Sequence, residues 1–219
     1  MDVVLAVIFN ICFFISIMGF AYFRYQSEKQ RGASFETQAK EMGLTFAHEP
    51  DKTLVKRYSH FGFLSEGRYG LINNLIEGDT GEVALQIFDY SYRIGSGRKD
   101  SKRKQTVVSL KSSQLNIPNL TIHPKGYFRQ TSSMAHQDIQ IASHPTFSEM
   151  FVLNSDDEQV VRNFLKPAAL EYFENHRIWL EASGDTFIIY KLGHRIKPDE
   201  IENFLSQAYD VYNVLTAQA

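Results

Sequence analysis

"GRYGLINNLIEGDTGEVALQIFDYSYRI" (residues 67–94) decides the fold class. Two runs rich in Ile, Leu, Val, Phe and Tyr bracket the turn Gly78-Asp79-Thr80-Gly81. Such runs on either side of a Gly/Asp turn predict an antiparallel hairpin. In the second run Val83, Leu85 and Ile87 share one face of the strand, and Phe88, Tyr90 and Tyr92 share the other. The sheet is therefore expected to be at least partly covered on both sides.

Downstream, "RIGSGRKDSKRKQ" (residues 93–105) holds six cations, Arg93, Arg98, Lys99, Lys102, Arg103 and Lys104, against the one acid Asp100. Residues 93–104 carry +5 in a chain of formal net charge -2, which leaves -7 on the remainder. "QTVVSL" (residues 105–110) predicts a third strand, so the basic segment is the connection between two antiparallel strands, loosened by Gly95 and Gly97. "NLTIHP" (residues 119–124) predicts a fourth, and Pro118 and Pro124 suit an edge or a strand end. Three readings of the basic segment stand side by side: a solvated hairpin tip, a contact with anionic lipid headgroups, and a contact with a protein or nucleic-acid partner. One compact basic spot on an acidic chain is not the broad basic face of a nucleic-acid binder, so nucleic acid is not expected as a partner.

The pattern then changes. Residues 126–147 lack a period, apart from a short strand expected at "IQIAS". "SDDE" (residues 155–158) has the form of a capping box from Ser155 to Glu158, and Val160, Val161, Phe164 and Leu165 supply the stripe of a helix. Pro167 starts a second helix that ends near Asn175. "RIWLEASGDTFIIYKL" (residues 177–192) predicts a hairpin with Ser-Gly-Asp at its tip. In the last helix Ile201, Phe204, Leu205, Ala208, Tyr209, Tyr212 and Leu215 recur at three- and four-residue steps, with Pro198, Asp199 and Glu200 at its start. Strand runs followed by helices predict an α+β fold: an N-terminal transmembrane helix, then an antiparallel β-meander packed with helices, ending in a long amphipathic helix.

Upstream, "VVLAVIFNICFFISIMGFAYF" runs from Val3 to Phe23, 21 residues without a charge. As a helix it spans roughly 30 Å, the hydrocarbon thickness of a bilayer. Asp2 in place of a basic leader, the length of the run and the lack of an Ala-x-Ala-like site favour an uncleaved anchor over a signal peptide. Tyr22, Phe23 and Tyr25 form an interfacial belt, and Arg24, Lys29 and Arg31 follow. By the positive-inside tendency the rest of the chain is expected on the cytoplasmic side of the inner membrane. The expected division is an anchor at residues 1–25, a linker at 26–34 and an α+β domain at 35–219, with a possible sub-division near residue 147. Within the domain "SFETQAKEMG" (residues 34–43) predicts a short helix capped by Ser34 and stopped at Gly43.

Chemistry is sparse. The lone Cys12 excludes an intramolecular disulfide and a cysteine metal cluster. None of the seven histidines pairs with another at i,i+3 or i,i+4. A His/Asp metal centre would need His136, His144 and Asp138 from one irregular stretch, and loop histidines are the commoner outcome. There is no phosphate-binding glycine loop and no nucleophile elbow. Asp89, set among aromatics on a strand, is the weak candidate for an acid or base, against the plainer reading of a pairing with a nearby Arg. No cofactor and no metal are expected.

"FVLNSDDEQVVRNFL" and "FDYSYRIGSGRKDSKRKQTVVSL" resemble segments of bacterial membrane-anchored families of unknown function, over about half the chain. The resemblance implies architecture and a bacterial setting, and it carries over no functional residue. The leading expectation is a single-pass protein whose cytoplasmic domain binds, as a scaffold or accessory in a membrane complex. The alternatives are a membrane-tethered enzyme and a domain facing the periplasm.

Overall fold

The computed structural model describes residues 2–49, 53–65, 67–95, 100–126 and 138–217. Its first element is α1 (Asp2–Glu41), 40 residues of unbroken helix. The polar stretch at residues 27–34, expected as a linker, is helical. The reason is that a stripe of α1 that hydropathy reads as polar is packed against the sheet. Phe35 and Ala39 on it are buried. Ser34, expected as a helix cap, lies inside α1 and donates to the Gln30 carbonyl at 3.0 Å. The expected stop holds: Gly43 takes φ +70°, and the Leu44 N–H closes the helix end on the Ala39 carbonyl at 2.8 Å.

The strands are β1 (Thr45–Ala47), β2 (Arg68–Asp79), β3 (Ala84–Ile94), β4 (Ser101–Lys111), β5 (Ile117–Pro124), β6 (Phe151–Ser155), β7 (Trp179–Gly184) and β8 (Thr186–Tyr190). They form one antiparallel sheet in the order β1-β2-β3-β4-β8-β7-β5-β6. Both expected hairpins are present as β2–β3 and β7–β8. The meander does not continue through β5, however. β8 takes the place beside β4, so the sheet draws on both sides of residue 147. β5 is interior, between β6 and β7, and its prolines sit near its two ends rather than on a sheet edge. Residues 139–143 form no strand. Ile139 instead donates one backbone bond to Leu153.

The alternation read from the hairpin divides the core. Leu85 and Ile87 face a layer made by α1, α4 (Pro145–Met150), α5 (Glu158–Phe164), α6 (Pro167–Asn175) and α7 (Ile201–Thr216). Phe88, Tyr90 and Tyr92 face a smaller cluster with Leu54 and Tyr58 around α2 (Leu54–Arg57) and Phe63 of α3 (Gly62–Ser65). Glu181, buried on this second side, accepts from the Phe63 N–H at 3.1 Å and the Tyr190 hydroxyl at 2.5 Å. The cap of α5 is Asp157, whose Oδ1 accepts from the Val160 N–H at 3.0 Å. Ser155, expected in that role, ends β6 and donates to the Asn119 carbonyl instead. A 3-10 turn (Pro198–Glu200) leads into α7, whose buried face is the one expected.

Candidate functional site: a charged clamp and a basic groove at the foot of α1

The clamp joins α1 to β3. Arg31 grips Asp89 with two bonds, Nε to Oδ2 at 2.6 Å and Nη2 to Oδ1 at 2.8 Å. The two side chains are only 11% and 8% exposed. Thr106 of β4 donates to Asp89 Oδ1 at 2.9 Å, and Asn74 of β2 donates to Oδ2 at 3.1 Å. Each carboxylate oxygen therefore holds two donors. Thr106 Oγ1 in turn accepts from Arg31 and from the Ile196 N–H at 3.0 Å. Asn74 reaches Asp89 because it sits at φ +51° inside the register shift of β2 between Asn73 and Ile76, and its side-chain Oδ1 meets His48 Nδ1 at 3.0 Å. Arg31 also lies 4.6 Å over the Phe35 ring. Gly32 lets α1 come this close: a Cβ there would stand 2.8 Å from His48 Nδ1.

Asp89, the weak acid–base candidate of the sequence, is thus the receiving half of a structural ion pair. Its oxygens are spent on Arg31, Thr106 and Asn74, and the pairing with an arginine is the reading the geometry supports.

The groove lies one helical turn below, toward the apolar half of α1. Its volume is about 480 Å³. Phe23, Arg24, Ser27 and Glu28 of α1 form one wall, Lys102, Arg103 and Lys104 of β4 another, and Gly193 and Arg195 complete it. Glu28 accepts from Lys104 Nζ at 2.5 Å and from Arg195 Nη1 at 2.8 Å. Burial would raise the Glu28 carboxyl. The hydrogen bonds and charges of Arg195 and Lys104 outweigh it and hold the group down at about 2. Burial, and then the positive charge of Lys104, push the Lys102 ammonium below its usual range. A smaller cavity of about 180 Å³ shares Glu28, Lys102, Lys104 and Arg195 with the groove and reaches Asp89.

Of the six cations singled out in the sequence, the structure brings Lys102, Arg103 and Lys104 together. They lie within β4, not in the connection, because the β3–β4 ladder continues to Ile94 and Ser101. Arg93 is turned to Asp100 at 2.9 Å. Arg98 and Lys99 lie outside the described residues. Sequence reasoning missed Arg195 and the pinning role of Glu28, which meet across 167 positions with no local signal. Arg24 carried only a topological meaning. Of the histidine-rich stretch, Asp138 is engaged by Lys125 at 2.9 Å and the Leu153 N–H, His144 contacts Ser143, and His136 lies outside the described residues.

A larger cleft, about 740 Å³, opens at the opposite end of the strands around Tyr58, Glu77, Gln86, Ser109 and Lys111. Tyr58 donates to Gln86, which donates to Glu77. Burial pushes the Tyr58 hydroxyl up to about 12, so it stays a proton donor.

No family model and no curated protein matches the chain. Among solved structures it is similar to the mycobacterial trehalose monomycolate transport factor A, TtfA, with a TM-score of 0.61 and 14% identity, over 84% of this chain and 94% of that one. At that identity the likeness is one of fold. α1 is the one described helix long and apolar enough to cross a membrane.

Proposed function

We propose that the protein is a single-pass membrane-anchored accessory module that works by binding a membrane protein, with its α+β domain held on the cytoplasmic face. One observation carries this reading: α1 passes without a break from an uncharged run, exposed from residue 8 on, into the domain core, where a buried ion pair locks it. A flexible tether would merely keep a domain near the bilayer. A clamped helix fixes its height and orientation, which is what docking on an integral membrane partner needs. The name of the structural neighbour, a transport factor, is in keeping with an accessory role. The cytoplasmic assignment rests on Arg24 and Lys29 following the span.

The test is crosslinking in native membranes with the full-length protein and with Gln30→Pro, which interrupts α1 while leaving both of its halves in the chain. A defined membrane protein should crosslink to the wild type and be lost in the variant. Recovery of the wild type alone would count against the reading. A reporter fused at Ala219 that works only on the far side of the membrane would overturn the orientation.

A further inference from the structure

We propose that the groove at the foot of α1 binds the phosphate-bearing headgroup of an anionic phospholipid from the leaflet through which the helix emerges. The inference rests on α1 crossing the bilayer and adds a ligand that the anchor reading does not need.

The position argues first. The uncharged run ends at Phe23, the next residue is Arg24, and both line the groove. A helix of that run spans roughly the hydrocarbon thickness, so Arg24 stands at headgroup level. Tyr22 and Tyr25, 64% and 65% exposed, flank it as interfacial aromatics do.

Charge argues second. Five cations line the groove against the single carboxylate of Glu28. Glu28 pins Lys104 and Arg195 by its two short bonds and leaves Arg24, Lys102 and Arg103 without a carboxylate in salt-bridge range among the described residues. The positive surroundings and partial burial that depress Lys102 are what an added anion would relieve. A cavity of about 480 Å³ is within the range that holds small ligands.

The Phe23 rim argues for the source. A ligand seated on Arg24 has polar walls toward β4 and an aromatic, membrane-facing side below. That fits an amphiphile, whereas a free phosphate would use the cations and leave the aromatic side unused.

The experiment is native mass spectrometry of the full-length protein released from detergent micelles. These would carry phosphatidylglycerol or phosphatidylcholine with the same acyl chains, with glycerol phosphate as the bare headgroup. Wild type should retain phosphatidylglycerol in preference to phosphatidylcholine. In Lys102→Gln/Arg103→Gln retention should drop roughly fivefold for each cation removed. Lys40→Gln/Lys197→Gln, exposed cations outside the groove, should change nothing. Equal retention of the two lipids, a preference that survives the groove substitutions, or full displacement by glycerol phosphate each overturns the proposal. Release of the protein from membranes by alkaline wash would sink the anchor reading and the lipid with it. Stable membrane association with no lipid preference would sink the groove alone.

Discussion

The two halves of α1 are one helix with two kinds of surface. Below Arg24 large apolar side chains point outward all round: Phe9, Phe14, Met18 and Phe23 are between 63% and 72% exposed. Above it Phe35 is fully buried, and Glu28 and Arg31 are spent on partners in the sheet and beside it. The lower half needs an apolar surrounding to cover it. The upper half carries its own, in the sheet. Helix geometry is common to both, and what differs is only where the polar groups find their bonds. A stripe of Glu28, Arg31, Gly32, Phe35 and Ala39 does for the upper half what uniform hydrophobicity does for the lower.

The comparison breaks first at the clamp. Asp89→Ala leaves Arg31 buried without its counter-charge, and a loss of about 3–5 kcal/mol is expected in thermal or denaturant unfolding of the detergent-solubilised protein. Asp100→Ala, which removes the exposed partner of Arg93, should cost under about 1 kcal/mol. Equal effects would mean the clamp is no more than a surface pair. Gln30→Pro comes next: it removes a helix bond at the junction of the halves and should cost about 3 kcal/mol. An unchanged melt would show that the junction is a linker after all.

Two glycines sharpen the contrast. A Cβ on Gly19 meets nothing within 4 Å, so Gly19→Ala should be neutral or gain helix stability. Gly32→Ala should lose about 1 kcal/mol, since His48 must swing away from Asn74 to make room. A stabilised Gly32→Ala protein would argue that α1 does not press on the sheet.

The smallest effect is acid. Glu28 is held at about 2 from an ordinary value of 4.5. A depressed carboxylate contributes stability above its unfolded value and loses it as pH falls through the folded one. A modest loss is therefore expected between about pH 4.5 and 2, absent in Glu28→Gln, and small because Glu28 is partly exposed to screening water.

Local signals were legible in the sequence and long-range pairings were not. The β2–β3 and β7–β8 hairpins, the break at Pro167, the stop at Gly43 and the face of α7 follow from period and turn chemistry. The place of β8 beside β4 does not, because two strands about 80 positions apart carry no mark of adjacency. The interior place of β5 was hidden by prolines that lie near its ends. The packed upper half of α1 read as linker because Glu28, Arg31 and Gly32 are polar or small, and a stripe that buries ion pairs has no hydropathy period. For the site, half of the basic cluster pointed to the right surface, but Arg195 and Glu28 meet only once the fold is closed.

The central claim is that α1 continues rigidly from the membrane into the core, and a distance measurement tests it most directly. Spin labels on the exposed positions Tyr22 and Glu36, with Cys12 replaced by Ser and the full-length protein in bilayers, bracket the expected linker. A continuous helix predicts one narrow distribution near 21 Å, from 14 steps of about 1.5 Å. A broad distribution, or one centred well away from that value, would contradict the account.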